Sequence, residues 1–219
     1  SFDPATARRA FVIAANDSVF SILGLPALGR IAAIGNPELR VSFVPAADAG
    51  LVERMERGEV DLYLGDVGKV PGPLKSRYLM GDRFEMAQRI GHPRGPAPAT
   101  LDEYCNLPHV LVSQVGHPHS QIDDLLAAQQ RSRKVVVTVP SYNQVALVLT
   151  HTDCVATLPS QLLRRYAAIL EILPVPFEIP VFNLAMAWHA RVQEDAGHRW
   201  LRALFTDAVA EPAGTSASG

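Results

Sequence analysis

Short apolar runs closed by proline or glycine alternate along this chain with stretches whose apolar residues recur at three- and four-residue spacing. Residues 134–159 show the pattern most clearly. Val135, Val136, Val137, Thr138 and Val139 form a β-branched run suited to a buried strand. Pro140, without an amide hydrogen for a ladder, ends it. Ser141 can cap a helix that places Val145, Ala146, Val148 and Leu149 on one face. A second apolar strand from Cys154 to Leu158 follows, closed by Pro159. Strand, turn, helix and strand make a βαβ crossover. The amides of a helix's first turn have no partner inside the helix, so such units gather ligands where strand C-termini meet helix N-termini. Ser141, Tyr142 and Asn143 therefore form a candidate binding rim.

The same alternation opens the chain. Residues 10–15 (AFVIAA) predict a buried strand, and Asn16, Asp17 and Ser18 offer caps to a helix through Val19, Ile22, Leu23 and Ile31. Gly24, Pro26 and Gly29 argue against a regular helix there, and residues 35–37 (GNP) stop it. Residues 39–44 form the next strand. Asp48 can cap a helix with Leu51, Val52 and Met55 on one face and an i,i+4 pair between Glu53 and Arg57. Residues 61–65 make a third strand. The second half repeats the plan: a strand at 109–113, a loop at 114–119, a helix through Ile122, Leu125 and Leu126 that opens on Asp123 and Asp124, and then the unit described first. Strand–helix–strand–helix–strand thus occurs twice, a repeat of architecture and not of sequence, and it predicts two α/β lobes with a cleft for a small ligand.

The remaining segments connect these lobes. Residues 66–108 are rich in glycine and proline, with an alternating strand at 84–90 that could cross between lobes, and residues 173–180 form an extended, proline-punctuated connector. Residues 181–188 are apolar on both faces, as a central strand requires. A helix from Asp195 carries Trp200, Leu201, Leu204, Phe205 and Val209 on one face and is assigned to the first lobe. Residues 211–219 read as a polar, disordered tail.

Composition narrows the function classes. The 219 residues, 48% hydrophobic and 19% charged, suit one large or two small globular domains. A formal charge of -2 gives no electrostatic reason for this segment itself to hold nucleic acid or an anionic membrane. Two cysteines, Cys105 and Cys154, do not make a disulfide framework and favour a reducing cytosol. No apolar run is read as long enough to span a membrane, and no signal-peptide pattern opens the chain. A first residue other than Met suggests a trimmed fragment.

Candidate chemistry is sparse. The strands are not followed by a dinucleotide fingerprint, and neither a P-loop nor Gly-x-Ser-x-Gly occurs. His117-Pro118-His119 could supply two imidazoles, but no carboxylate or cysteine stands at a recognised spacing, so neither metal nor cofactor is expected. Arg131, Arg133, Lys134, Arg164 and Arg165 read as solvated faces. No constellation argues for bond-making chemistry, and no catalytic residue is assigned.

Five stretches together carry a family resemblance: FDPATARRAF, His92-Pro93, SQVGHPHSQID, VPSYNQVALVLTHTDCVATLP and MAWHARVQEDAGHRWLRALF. In this order, over nearly all the chain, they resemble the effector-binding domain of LysR-type transcriptional regulators, in the branch that responds to naphthalene breakdown products, nitroaromatics and plant flavonoids. The resemblance implies a type II periplasmic-binding-protein fold of two Rossmann-like lobes joined by two crossover segments. Lobe I takes residues 1–80 and 164–219, and lobe II takes residues 81–163. It also implies a small-molecule coinducer, side-by-side homodimers of this domain, homotetramers of the full regulator, a cytoplasmic location, and promoter DNA held only by an N-terminal winged helix-turn-helix that this chain lacks.

Carried over residue by residue, the family's ligand contacts fall on Asn16, Asp17 and Ser18, on Ala46, on Gly116, His117 and Pro118, and on Ser141, Tyr142 and Asn143, with His92 near the cleft. Asn16 stands where the family often has Ser or Thr, and the Tyr142-Asn143 pair is not a fixed family feature. Helix N-termini favour a carboxylate, and Tyr142 with His117 could contact an aromatic ring, so a small aromatic acid is the expected effector. The runner-up is an extracytoplasmic solute-binding protein of the same fold; an enzyme on an α/β scaffold lacks a motif.

Overall fold

The computed structural model describes residues 1–46 and 49–210. The expected cap at Asp48 and the tail at 211–219 lie outside the described residues. The chain divides into two compact units: unit 1 runs to Gly81 and resumes at Phe182, and unit 2 is Asp82–Val181.

Unit 1 is built on β1 (Arg9–Ala14), α1 (Asp17–Val19), α2 (Leu25–Ile34), β2 (Leu39–Val44), α3 (Leu51–Glu56) and β3 (Leu62–Asp66). β4 (Lys75–Asp82) completes its first pass. β1 pairs in parallel with both β2 and β3. α1 and α2 form one continuous helix through a π-helical turn at Phe20–Gly24, where the Leu25 amide donates to the Phe20 carbonyl. The wider turn comes just before Pro26, which has no amide to donate, so the helix absorbs the proline without breaking. Gly35, in the left-handed region at φ 72°, ends it.

At 18 residues, Asp17–Ile34 is apolar enough to cross a membrane by length and composition, contrary to expectation. A core helix passes the same test, and Val19, Ile22, Leu23 and Ala27 are buried in this unit. Arg57 pairs with Glu59, Nε to Oε1 at 2.9 Å, where Glu53 was expected.

Strand β3 carries a close approach. A Cβ on Gly65 would lie 2.2 Å from Tyr63 Oη and 2.5 Å from its Cζ. The Tyr63 ring is buried, and burial together with Asp66 raises its phenol pKa. Gly65→Ala must displace that ring and is expected to cost about 1–3 kcal/mol in urea denaturation. An unchanged midpoint would show that the ring moves freely.

Unit 2 contains β5 (Phe84–Arg89), α4 (Leu101–Asn106), β6 (Pro108–Val112), α5 (Gln121–Ala127), β7 (Lys134–Val139), α6 (Tyr142–His151), β8 (Ala156–Pro159), α7 (Ser160–Arg164) and β9 (Leu170–Leu173). β7 lies parallel to β6, and β6 meets the segment entering β8 through a parallel His109–Val155 bridge. The β7–α6–β8 crossover therefore passes over β6. This is the connection that α3 makes over β1 in unit 1, where the sheet runs second–first–third; in unit 2 the third strand joins that order only through the His109–Val155 bridge. β5 then lies antiparallel to both β8 and β9.

β9 explains a boundary difference. Because Leu170–Leu173 pairs with β5, the chain stays in unit 2 until Val181, beyond the expected change at 163/164. β10 (Phe182–Trp188) then runs antiparallel to β3 and lies between β3 and β4, which accounts for its apolar faces. α8 (Ala196–Ala210) closes unit 1; Asp195 accepts from the His198 amide at 2.9 Å and from Arg9 Nη2 at 2.8 Å.

Candidate functional site

The rim of unit 1 follows β1. Asn16 is the helix cap: its extended backbone (φ -74°, ψ 170°) lets Oδ1 accept from the Val19 amide at 2.8 Å. Ser18, 6% exposed, donates its hydroxyl to the same Oδ1 at 3.0 Å. Asp17, partly exposed, occupies the first turn, where the helix dipole favours its charge. Asn16 and Ser18 thus hold the turn, and the first-turn amides remain directed along the helix axis. Ala46 is partly buried and packs against the cluster formed by Leu51, Met55 and Tyr63.

The rim of unit 2 joins two loops. After β6, Gly116 takes the left-handed region at φ 73°, and the His117 amide donates to Ser113 Oγ at 2.9 Å. Gly116, His117 and Pro118 are all exposed. His119 Nε2 lies 2.7 Å from Asp124 Oδ1, and the His117 and His119 rings are 5.9 Å apart. Among the described residues no group of three or more His, Cys, Asp and Glu side chains could hold a metal. After β7, Ser141 caps α6, accepting from the Gln144 amide at 3.3 Å. Gln114 Nε2 donates to the Pro140 carbonyl at 2.5 Å and ties the first loop to the second. Asn143 is exposed, and its Oδ1 accepts from the Tyr166 hydroxyl. Sequence reasoning missed Gln114 and Tyr166, since each reaches the rim from more than twenty residues away.

His92 is a different case. It is 7% exposed; its Nδ1 accepts from the Arg94 amide at 3.1 Å, which places the proton on Nε2, and Nε2 donates to the Asp153 carbonyl at 2.8 Å. Both ring nitrogens are engaged by backbone of unit 2, and neither is left for a ligand. His92 staples the β5 end to the segment before β8.

The arginines also depart from expectation. The Arg133 side chain, 1% exposed, binds Asp123, and Asp123 in turn closes a capping box on Ser120. Burial alone would raise the Asp123 pKa, but Arg133 holds it below its usual value. Arg131 pairs with Asp102, and Arg164 approaches Glu85 at 3.7 Å.

The family profile described as the LysR substrate binding domain matches residues 5–210. The chain belongs to this family. It is 30% identical over 217 residues to the HTH-type transcriptional activator NagR of Ralstonia sp, covering 96% of this chain and 70% of that protein. It is also 30% identical to the HTH-type transcriptional activator NahR of Pseudomonas putida, covering 94% and 69%. Among solved structures, the regulatory domain of MexT, a transcriptional activator in Pseudomonas aeruginosa, matches with a TM-score of 0.76 at 29% identity, covering 93% of this chain and 99% of that one. These relatives are regulators and not enzymes. The chain is the effector-binding domain of a LysR-type transcriptional regulator, with the α/β, type II periplasmic-binding-protein-like fold, and the solute-binding alternative is not favoured.

Proposed function

We propose that a strand-to-helix rim of the kind found in each unit binds a small carboxylate effector, with an aromatic acid the preferred class. One observation carries the reading: both units place a side-chain-capped helix start directly after a parallel strand, at Asn16 and at Ser141. First-turn amides stabilise a carboxylate, and Tyr142, the first residue of α6, and His117 on the loop after β6 would supply ring faces. Gly116 and Pro118 shape the loop that carries His117, while Asp17, Ala46 and Asn143 would set selectivity by charge, bulk and hydrogen bonding. Calorimetric titration of the chain with benzoate, salicylate and a sugar of similar size tests this. Saturable heat from an aromatic acid and none from the sugar is expected; tight sugar binding with no heat from either acid would defeat it.

Effector binding would act by favouring one of two pre-existing arrangements of the domain, and so bias DNA-binding segments of the intact regulator on promoter DNA. A cytoplasmic location follows from that partner. Homodimers of this domain, and homotetramers of the full regulator, form part of the reading. Val136 on β7 and Leu147 on α6, 57% and 65% exposed, support association of the isolated chain. Sedimentation equilibrium is expected to give a dimer that Leu147→Glu weakens at least tenfold, whereas a strictly monomeric chain at high concentration would contradict it.

A further inference from the structure

A cavity of about 670 Å³ opens in unit 2, and every residue lining it belongs to that unit. Its walls come from the segment by which the chain enters the unit (Arg83, Phe84 and Glu85), from residues within 174–181 by which it leaves, and from Leu125 on α5. The rim residues Gly116, His117, Pro118, Ser141, Tyr142 and Asn143 do not line it. The volume lies in the range that holds a small organic ligand.

Phe84, Leu125, Val175, Phe177 and Ile179 give the cavity an apolar, partly aromatic lining. Val175, Phe177 and Ile179 also pack on the buried cluster around Tyr104, Ile122 and Leu126, so this wall is anchored to the core. Three charged residues face the space. Glu85 is compensated: Ser160 Oγ donates to its Oε1 at 2.6 Å, and Arg83 and Arg164 approach it at 3.5 Å and 3.7 Å. Arg83 is thereby matched with Glu85. Glu178 is exposed and forms no hydrogen bond or ion pair among the described residues. Glu178 is the lining carboxylate without a cationic partner among the described residues, next in sequence to Phe177, a ring whose face attracts cations.

We propose that this cavity is a second ligand site, separate from the effector rims, that takes a small, largely apolar molecule carrying one cationic group. The apolar body lies against Phe84, Leu125 and Phe177, and the cation meets Glu178. Because both connecting segments line the cavity, an occupant bears on the two places where the chain enters and leaves unit 2.

Tryptamine, its neutral analogue tryptophol and its anionic analogue indole-3-acetate serve as probes for calorimetry on the chain. Tryptamine is expected to bind about tenfold more tightly than tryptophol. Glu178→Gln, at an exposed position, should abolish that preference while leaving the circular dichroism spectrum unchanged, and Tyr142→Ala should leave tryptamine affinity as it was. Three results would each overturn the proposal: equal or absent binding of tryptamine and tryptophol, a preference that persists in Glu178→Gln, or loss of tryptamine binding in Tyr142→Ala, which would move the ligand to the rim.

Discussion

Arg133→Ala is expected to destabilise unit 2 by about 3–5 kcal/mol, the usual cost of removing one partner from a buried ion pair. The guanidinium donates to Asp123 Oδ1 at 2.9 Å through Nε, and through Nη2 to Asp123 Oδ2 and to Ser120 Oγ at 3.2 Å each. The side chains of Arg133 and Asp123 are 1% and 14% exposed, so water cannot replace the lost donors. Asp123 would keep the Ser120 amide at 2.8 Å and lose its counter-charge. The double variant Arg133→Leu, Asp123→Leu should recover part of the loss, because it leaves no charge stranded. Trp188 and Trp200 are the two tryptophans and both belong to unit 1. Far-ultraviolet circular dichroism must therefore report unit 2, while tryptophan fluorescence reports whether unit 1 unfolds with it. A dichroism midpoint displaced by less than about 1 kcal/mol would show that this pair does not hold α5 in place.

Acidification from neutral pH is expected to weaken the fold well before the carboxylates titrate. His109 is fully buried; Nε2 lies 2.6 Å from the Tyr104 carbonyl, and Nδ1 has no partner among the described residues. Burial lowers its pKa to about 4, against the opposing pull of that carbonyl. In the unfolded chain the imidazole titrates near 6.5, so between about pH 6.5 and 4 the unfolded state takes up a proton that the folded state refuses. Stability should therefore fall by about 1.4 kcal/mol per pH unit, reaching about 3 kcal/mol at pH 4. Burial lowers the pKa of His198 in unit 1 as well, which adds loss of the same sign. Asp123 and Asp195 are held below their ordinary values, and their contribution is lost only as pH falls below the ordinary carboxylate range. Burial raises the Asp82 pKa, which works in the opposite direction at the acid end. Urea denaturation between pH 7 and 4.5 isolates the histidines. His109→Gln should flatten the slope, and a wild-type slope near zero would contradict the assignment.

Much of this architecture is legible because two different periodicities alternate. The β-branched run at β7, the β2 run ended by Pro45 and the doubly apolar β10 each declared themselves as strands. The repeat of strand–helix–strand–helix–strand predicted two units, and each has that order. What escaped lacks a strong local pattern. β4 exposes Lys75, Ser76, Arg77 and Tyr78 and so shows no apolar alternation, while β9 is four residues long. Missing β9 placed the second change of unit too early. α4 had a readable signal: Thr100 accepts from the Glu103 amide at 3.2 Å, and Thr followed three residues later by Glu is a capping pattern. At the rims, the cap chemistry of Asn16 and Ser141 is local and could be read from the sequence. Gln114 and Tyr166 act across distance in sequence, and the engagement of His92 Nε2 depends on Asp153, which no spacing rule announces.

Effector recognition at a strand-to-helix rim is the central claim. Calorimetric titration of an aromatic acid into the wild-type chain, into Ser18→Ala of unit 1 and into Tyr142→Ala of unit 2 tests it most directly, with thermal unfolding confirming that each variant is folded. The account predicts that at least one of the two substitutions weakens affinity at least tenfold. Affinity unchanged in both variants would contradict it.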